Sequence, residues 1–187
     1  MKTITLLLFL FSFQFSSAQT IFKVSGSLGN RWDEKLNSQT IGKGFIVSAE
    51  TFLIPKLSFG IGVSYFSFHP NTLVDLTFNS YSIGATYYFK QTKLQPFVGF
   101  EAGFCKYQDK TTIEISGQSN TQVRDKQYGS ISPKLGLIYF VSEQIGVQLQ
   151  FKADFVPIAN ISPIGFSSSS LGIVYKIGSR KLENKWF

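Results

Sequence analysis

The chain has a single histidine, His69, and a single cysteine, Cys105. A histidine works as a general base only beside a partner group within hydrogen-bond reach, and the nearby serines Ser64 and Ser67 stand in no recognisable motif. A lone cysteine cannot form an internal disulfide, and one His with one Cys cannot build a clustered zinc site. We therefore predict a protein that is not an enzyme and carries no metal or other cofactor.

Charged side chains are the other groups that could do chemistry, and they make up only 16% of the 187 residues, against about 25% in typical soluble proteins. The 18 Lys and Arg outnumber the 11 Asp and Glu. They are scattered along the chain instead of forming a stripe, so no nucleic-acid partner is predicted. Aromatic residues also reach 16%, which argues against a disordered chain.

Residues 1–18 have the pattern of a secretory signal peptide. A basic start precedes an apolar run over residues 4–11, and small residues lead to a cleavage point after Ala18. The apolar run is shorter than the ~20 residues that a membrane-spanning helix needs. We expect residues 1–18 to be removed, residues 19–178 to form one folded domain, and residues 179–187 to form a polar tail.

Beyond residue 18 the dominant pattern is the period-two alternation that is typical of β-strands. In residues 57–65, for example, Leu, Phe, Ile, Val and Tyr alternate with Ser and Gly. Eight segments alternate in this way: 22–28, 45–51, 57–66, 81–89, 96–104, 131–141, 145–155 and 171–177. The second, fourth and sixth links between them are short, whereas the others are longer and more polar: 29–40, 68–77, 108–127 and 157–166.

The apolar face of these strands is predicted to point outward. An eight-stranded barrel is only wide enough inside for its own inward side chains, so the many large apolar residues cannot all lie there. The opposite face carries mainly Gly, Ser and Thr with some charges, which suits a narrow polar lumen. An apolar exterior requires lipid, where a closed barrel satisfies its backbone hydrogen bonds. The predicted fold class is all-β, an eight-stranded antiparallel up-and-down transmembrane β-barrel.

Aromatic residues near the strand ends are expected to form the girdles that such barrels place at the membrane surfaces. The candidates are Tyr65, Phe66, Tyr81, Tyr87, Tyr88, Phe89, Tyr139 and Phe155. The clear strand pattern ends near Ile177, ahead of the polar tail and the terminal Phe187.

These features resemble the small outer-membrane β-barrel proteins of the OmpA/OmpX type. The resemblance rests on the signal-peptide pattern, on the strands over 57–65 and 81–89, and on the segment PFVGFEAG at 96–103, and it covers essentially the whole mature chain. It implies a place in the cell outer membrane with both termini in the periplasm. Outer-membrane lipids and the barrel-assembly machinery are the implied partners, and we expect a monomer. Either Tyr175 or Phe187 would serve as the aromatic assembly signal of this type.

The predicted function is a structural or surface-interaction role through the extracellular loops. In the longest loop, 108–127, alternation over 111–115, turn residues over 116–120 and a return over 122–124 predict a β-ribbon that could contact extracellular proteins. Two alternatives stay open. One is a secreted soluble β-barrel that binds a small apolar ligand, and the other is a narrow channel, although inward residues such as Phe97 and Phe140 would obstruct it.

Charges on the inward-facing positions predict two ionic clusters in the lumen. The first comprises Glu101, Lys134, Lys152 and Asp154, midway along strands five to seven, and the second comprises Lys23, Glu50 and Lys176, near the short-turn end. Enclosed opposite charges should pair, because an unpaired buried charge is costly. We expect these clusters to plug the barrel and fix the strand register, and not to form a catalytic site.

Overall fold

The computed structural model describes residues 19–32, 40–71, 74–115, 118–156 and 164–178. The predicted signal peptide at 1–18 and the predicted tail at 179–187 lie outside the described residues. The described residues form eight strands: β1 Thr20–Trp32, β2 Ile41–Ile54, β3 Leu57–Asn71, β4 Val74–Tyr88, β5 Leu94–Ile115, β6 Gln118–Phe140, β7 Ile145–Val156 and β8 Ile164–Ile177.

The strands form a closed barrel in which each strand pairs antiparallel with the next and β1 closes onto β8. The Lys23–Ser48 pair illustrates the β1–β2 register, and Thr20 lies opposite Ile177 where the barrel closes. The predicted all-β, eight-stranded up-and-down barrel is confirmed. Among the described residues, no helix has the length and apolar character to cross a bilayer.

Most strands are longer than the alternating segments predict, and they extend mainly toward the long links. β4 begins at Val74 where the pattern begins at residue 81, and β5 continues to Ile115 where the pattern stops at 104. The backbone ladder does not need an apolar outer face to continue beyond the apolar band. The apolar alternation therefore underestimates the length of these strands.

Burial in the barrel is inverted relative to a soluble protein. On the outer face, Ile61 is 66% exposed and Ile83 is 68% exposed. On the inner face, Ser58, Glu101 and other small or charged residues are buried. Such a band of exposed apolar side chains matches the lipid-facing surface of transmembrane barrels.

Two residues of the predicted aromatic girdle lie elsewhere. Phe66 and Tyr88 have no exposed surface and point into the lumen, so their placement in the girdle is wrong. Each directly follows an outward-facing aromatic residue, and successive side chains on a strand point to opposite faces. Of the other candidates, Tyr65 is half-buried and the remainder are exposed: Tyr81, Tyr87, Phe89, Tyr139 and Phe155.

The lumen is apolar toward both ends and charged between them. The loop-end plug comprises Ile46, Phe66, Phe68, Leu76, Phe78, Cys105, Val156 and Phe166. The turn-end plug comprises Ile21, Phe52, Tyr88, Phe97, Ile138, Phe140 and Val174. Along β5, Glu101 lies between Phe97 of one plug and Cys105 of the other. The lumen is therefore polar only in its middle. The sequence predicts a mainly polar lumen with Phe97 and Phe140 among its inward residues, and it does not predict an apolar layer at each end.

Glycines make room for the large inward rings. A Cβ atom at Gly42 would lie 2.5 Å from the Phe68 ring, and a Cβ atom at Gly44 would lie 2.6 Å from the Phe66 ring. Both glycines face the lumen on β2, directly beside the strand that carries the two phenylalanines. The small residues on the inner face thus accommodate bulky side chains from neighbouring strands.

Candidate functional site

Six of the seven predicted lumen charges form one continuous ionic chain. Its links are Lys23 Nζ to Glu50 Oε1 at 2.6 Å, Lys134 Nζ to Glu50 Oε1 at 3.0 Å and to Glu101 Oε1 at 2.8 Å, and Lys152 Nζ to Glu101 Oε2 at 3.0 Å and to Asp154 Oδ1 at 3.2 Å. Positive and negative groups alternate, so the three lysines balance the three carboxylates. We call this set the ionic chain.

The link between Lys134 and Glu50 crosses the lumen. Glu50 lies on β2 and Lys134 on β6, and these strands are not neighbours in the barrel. The sequence predicts two separate clusters, because it indicates only which charges share adjacent strands. The structure joins members of both clusters through this cross-lumen contact.

Lys176 is the predicted lumen charge that lies apart from the ionic chain. Its ammonium group is 5.2 Å from the centroid of the Phe140 ring, in the turn-end plug. A cation over an aromatic face is attracted by the ring quadrupole. Lys176 thus contacts an aromatic ring where the sequence predicts a carboxylate partner.

Glu50, the second member of the ionic chain, also contacts hydroxyl groups of β3 and β4. Besides the two lysines, its carboxylate accepts hydrogen bonds from Ser58 at 2.8 Å, Tyr88 at 2.7 Å and Thr86 at 3.2 Å. The Tyr88 hydroxyl also accepts a hydrogen bond from Lys23 at 2.9 Å. These three hydroxyls were not predicted as site residues, and inward alternation on β3 and β4 is the signal that could have indicated them.

The other carboxylates of the ionic chain also accept hydroxyl donors. Ser82 donates to Glu101 at 2.9 Å, and Ser132 donates to Asp154 at 2.6 Å. Hydrogen bonds to ionised groups are shorter and stronger than neutral ones, and buried ion pairs need them to offset desolvation. The serine hydroxyls beside the ionic chain therefore supply the hydrogen bonds that its buried carboxylates require.

Little free space remains around the ionic chain. A cavity of about 10 Å³ lies beside Glu50, Glu101 and Lys134, which is room for about one water molecule. This site can hold strands together and can enclose a water molecule.

His69 and Cys105 lie in different environments. His69 Nε2 is 3.4 Å from Asp75 Oδ1, and both side chains are mostly exposed at the long-link end of β3 and β4. Ser64 is buried on the inner face, so the barrel wall separates it from His69. Ser67 lies between the inward-facing Phe66 and Phe68 and therefore shares the outer face with His69. Cys105 is a buried free thiol of the loop-end plug. Among the described residues, no group of three or more His, Cys, Asp or Glu could hold a metal ion.

The ends of β5 and β6 form a polar ribbon, defined as residues 106–115 and 118–127. The two strands stay paired from Lys106–Gln127 to Ile115–Gln118, which confirms the ordered hairpin predicted in the longest loop. β6 pairs with β7 only from Ile131 onward, and none of the described residues of β7 pairs with β6 before that point. Residues 120–127 are exposed, so this part of β6 is a strand edge.

Lys106 and Asp125 form an ion pair on this ribbon at 3.0 Å. The hydrogen bond from Lys106, together with one from Gln108, lowers the pKa of the Asp125 carboxyl. The ribbon therefore carries a paired carboxylate, in surroundings very different from those of the lumen.

A closed eight-stranded barrel with an apolar exterior, a filled lumen and one extended hairpin is the fold of small outer-membrane β-barrel proteins. No protein-family model matches the chain, and no curated protein matches it in sequence. Solved structures of outer-membrane barrels do match its fold.

The Neisserial surface protein A, NspA, matches with a TM-score of 0.67 at 13% identity, over 84% of this chain and 97% of NspA. Ail, the attachment invasion locus protein of Yersinia pestis, matches with a TM-score of 0.59 at 11% identity, over 86% of this chain and 99% of Ail. The outer-membrane enzyme PagL matches with a TM-score of 0.53 at 15% identity, over 84% of this chain and 99% of PagL. At these identities the similarity shows the fold.

Proposed function

We propose that the protein is an integral outer-membrane β-barrel that is not an enzyme and that acts at the cell surface through its β5–β6 ribbon. The inverted burial carries this proposal: large apolar side chains face outward around the barrel, whereas the charged residues of the ionic chain are buried inside. Only a lipid environment stabilises such an exterior, since contiguous apolar patches of this extent are rare on soluble proteins. The same observation disfavours the secreted soluble barrel.

The proposed orientation places both termini in the periplasm and the ribbon outside the cell. The described ends of β1 and β8 pair with each other at the end of the barrel that carries the short turns, such as the turn at Pro55–Lys56. Transmembrane barrels have short periplasmic turns and longer extracellular loops. The ribbon lies at the opposite end and therefore faces the exterior.

The exposed edge of β6 is the proposed contact for extracellular proteins. Phe140 N donates to Lys93 O on the β5 side. Because successive residues of a strand direct their backbone groups to opposite sides, the odd-numbered residues of β6 direct theirs away from β5. On the ribbon these include Val123, Asp125 and Gln127. Free N–H and C=O groups in a row can pair with an extended segment of a partner.

The names of the structural neighbours support a surface role. NspA is a surface protein, and Ail is an attachment invasion locus protein whose structure has also been solved with the heparin analogue sucrose octasulfate. The name of PagL shows that the fold also carries an enzyme. In this chain the barrel wall separates Ser64 from His69, which excludes that pair. Ser67 shares the outer face of β3 with His69, and it is the lack of a recognisable motif around these residues that supports a protein that is not an enzyme.

The ionic chain is proposed to stabilise the closed barrel and fix its strand register. It links β1, β2, β5, β6 and β7 through side chains alone. A one-residue slip of any of these strands would direct its charge to the lipid face. The ionic chain therefore strongly destabilises barrels in which these strands pair in a wrong register.

Cell fractionation and gel mobility test the membrane location. The protein should sediment with outer membranes, require detergent for extraction, and migrate differently on gels before and after heating, because closed barrels resist unfolding by detergent. A protein that remains soluble without detergent would contradict the proposal and support the soluble-barrel alternative.

Cysteine labelling in intact cells tests the orientation. In a Cys105→Ala background, Thr121→Cys on the ribbon should react with a membrane-impermeant thiol reagent, whereas Lys56→Cys in a short turn should react only after cell lysis. Thr121 and Lys56 are both exposed, so a difference in labelling reports the side of the membrane and not burial within the fold. Labelling of Lys56→Cys alone would reverse the orientation.

A pair of substitutions at Gln127 tests the strand edge. Gln127→Pro removes one backbone N–H that faces away from β5, and Pro is tolerated on strand edges, whereas Gln127→Ala keeps that N–H and removes the side chain. Cells carrying the wild type or Gln127→Ala should bind a panel of immobilised extracellular-matrix proteins, and Gln127→Pro should reduce that binding. Equal binding by the wild type, Gln127→Ala and Gln127→Pro would exclude the β6 edge as the contact. Equal binding by cells that lack the protein would exclude it as well.

A further inference from the structure

The loop-end plug extends across the lumen from one wall to the other. The Phe166 ring from β8 is 4.8 Å from Phe66 and 5.7 Å from Phe68, both on β3, and 5.2 Å from Phe78 on β4. β8 and β4 lie on opposite sides of the barrel. All four rings are almost completely buried, so they form a continuous apolar layer across the lumen.

The turn-end plug has the same character with different residues. Tyr88 from β4 contacts Phe52 from β2 at 5.0 Å and Phe97 from β5 at 5.8 Å between ring centroids. Aliphatic and aromatic side chains from β1, β6 and β8 complete the layer: Ile21, Ile138, Phe140 and Val174. Six strands therefore contribute to an apolar layer at this end.

The ionic chain lies between these two layers. On β2, Glu50 lies between Ile46 of the loop-end plug and Phe52 of the turn-end plug. Hydrophobic constrictions exclude ions because water does not wet them. A layer of charges, by contrast, can exchange partners with water and with small ions. The apolar layers are therefore expected to exclude water and ions, whereas the charged layer alone could let them pass.

We propose that the two apolar plugs, and not the ionic chain, form the barrier that keeps water and ions from crossing the lumen. The ionic chain lies in a closed compartment between the plugs. This assignment goes beyond the proposed surface role, since it concerns permeability and does not involve the ribbon.

The chain contains its own reporter for the loop-end plug. Cys105 is its single cysteine and is buried among the plug residues. In the refolded wild type, a charged trimethylammonium methanethiosulfonate reagent should leave Cys105 unmodified. Phe68→Ala with Phe166→Ala should expose Cys105 and speed its modification at least tenfold. As a matched control, Phe59→Ala with Phe100→Ala removes two rings from the outer face and should leave Cys105 protected.

A second labelling position tests the compartment behind the plug while the aromatic rings of both layers stay in place. Ser48 lines the small cavity beside Glu50, Glu101 and Lys134, and the Ser48→Cys variant in a Cys105→Ala background replaces its hydroxyl with a thiol. This cysteine should be inert to the charged reagent while both plugs are intact. Rapid modification would overturn the proposal, because it would show that ions reach the compartment past an intact plug.

Conductance in planar lipid bilayers separates the plugs from the ionic chain. Glu101→Gln interrupts the ionic chain, and this variant should remain non-conducting. A variant in which the rings of only one plug are replaced by alanine should also remain non-conducting. Phe68→Ala and Phe166→Ala combined with Phe97→Ala and Phe140→Ala should give discrete current steps. Heat-dependent gel mobility of each variant confirms a closed barrel. Current steps from Glu101→Gln, or none from a correctly folded four-alanine barrel, would assign the barrier to the charges and overturn the proposal.

Discussion

Two Lys–carboxylate pairs in this protein have the same length and opposite surroundings. Lys134 and Glu50 lie 3.0 Å apart in the lumen with side chains 4% and 2% exposed. Lys106 and Asp125 also lie 3.0 Å apart, on the ribbon, with side chains 51% and 45% exposed. The distance between the charged atoms therefore does not distinguish the two pairs. Their exposure to solvent does.

The difference teaches where charge has structural consequences in a membrane barrel. In water, an exposed pair gains little because solvent screens it. In a filled lumen, each charge has lost its hydration and depends on its partners, so removal of one partner leaves the other uncompensated. The lumen pair can therefore enforce the fold, whereas the ribbon pair can change without consequence for the barrel.

The largest effect is expected from Glu50→Gln. This change leaves Lys23 and Lys134 without their shared carboxylate, and it should lower the free energy of unfolding by about 3 to 5 kcal/mol. Urea titration of the protein refolded into lipid vesicles measures this loss. Lys106→Gln on the ribbon serves as the exposed control. A loss for Glu50→Gln no larger than for this control would remove the distinction between the two regions.

A smaller effect is expected when both members of a lumen pair change together. Glu101→Gln should destabilise the detergent-folded barrel, and addition of Lys134→Gln should restore part of the loss, because the uncompensated ammonium is then gone. The coupling should fall between about 0.5 and 3 kcal/mol, the range for residues in one charge network. Strictly additive losses would show that these two groups do not pair.

Lys176→Met should have a weaker effect than changes in the ionic chain. Its ammonium lies over the Phe140 ring and outside the ionic chain, so its removal leaves no carboxylate unpaired there. We expect a cost of about 1 kcal/mol, as for a cation–aromatic contact, in the same urea titration. A loss as large as that of Glu50→Gln would mean that Lys176 belongs to the ionic network.

The smallest effect concerns pH on the ribbon. Because Lys106 lowers the pKa of Asp125 in the folded protein, the pair stabilises the ribbon at pH values above the ordinary aspartate pKa. This stabilisation is lost only as the pH falls through the lowered pKa of Asp125. NMR titration of the Asp125 carboxyl measures this pKa. Lys106→Gln should raise the pKa toward its usual value while barrel stability stays unchanged. An unchanged pKa in that variant would contradict the pairing.

The sequence predicts the barrel because lipid imposes a strict alternation. From Leu57 to Tyr65 every second residue is apolar, and the structure places that face outward. The alternation is uninformative at the strand ends, where apolar residues occupy both faces. For this reason the sequence places Phe66 and Tyr88 in the aromatic girdle, although both side chains lie in the lumen.

The connections inside the lumen are less accessible to sequence reasoning. The inward direction of Glu50 and Lys134 follows from alternation, but their contact depends on how far the strands are staggered around the closed barrel. Phe68 and Phe166 lie in segments that read as polar links, so the loop-end plug is not predicted. Ring packing across strands β3, β4 and β8 becomes visible only once the barrel closes.

Paired double-mutant cycles test the central claim most directly, namely that the ionic chain ties opposite walls of a lipid-embedded barrel. One cycle combines Glu50→Gln with Lys134→Gln across the lumen, and the other combines Asp125→Asn with Lys106→Gln on the ribbon, both by urea titration in lipid vesicles. The account predicts a coupling above about 1 kcal/mol for the lumen pair and additivity within error for the ribbon pair. Additivity in both cycles, or a larger coupling on the ribbon, would contradict it.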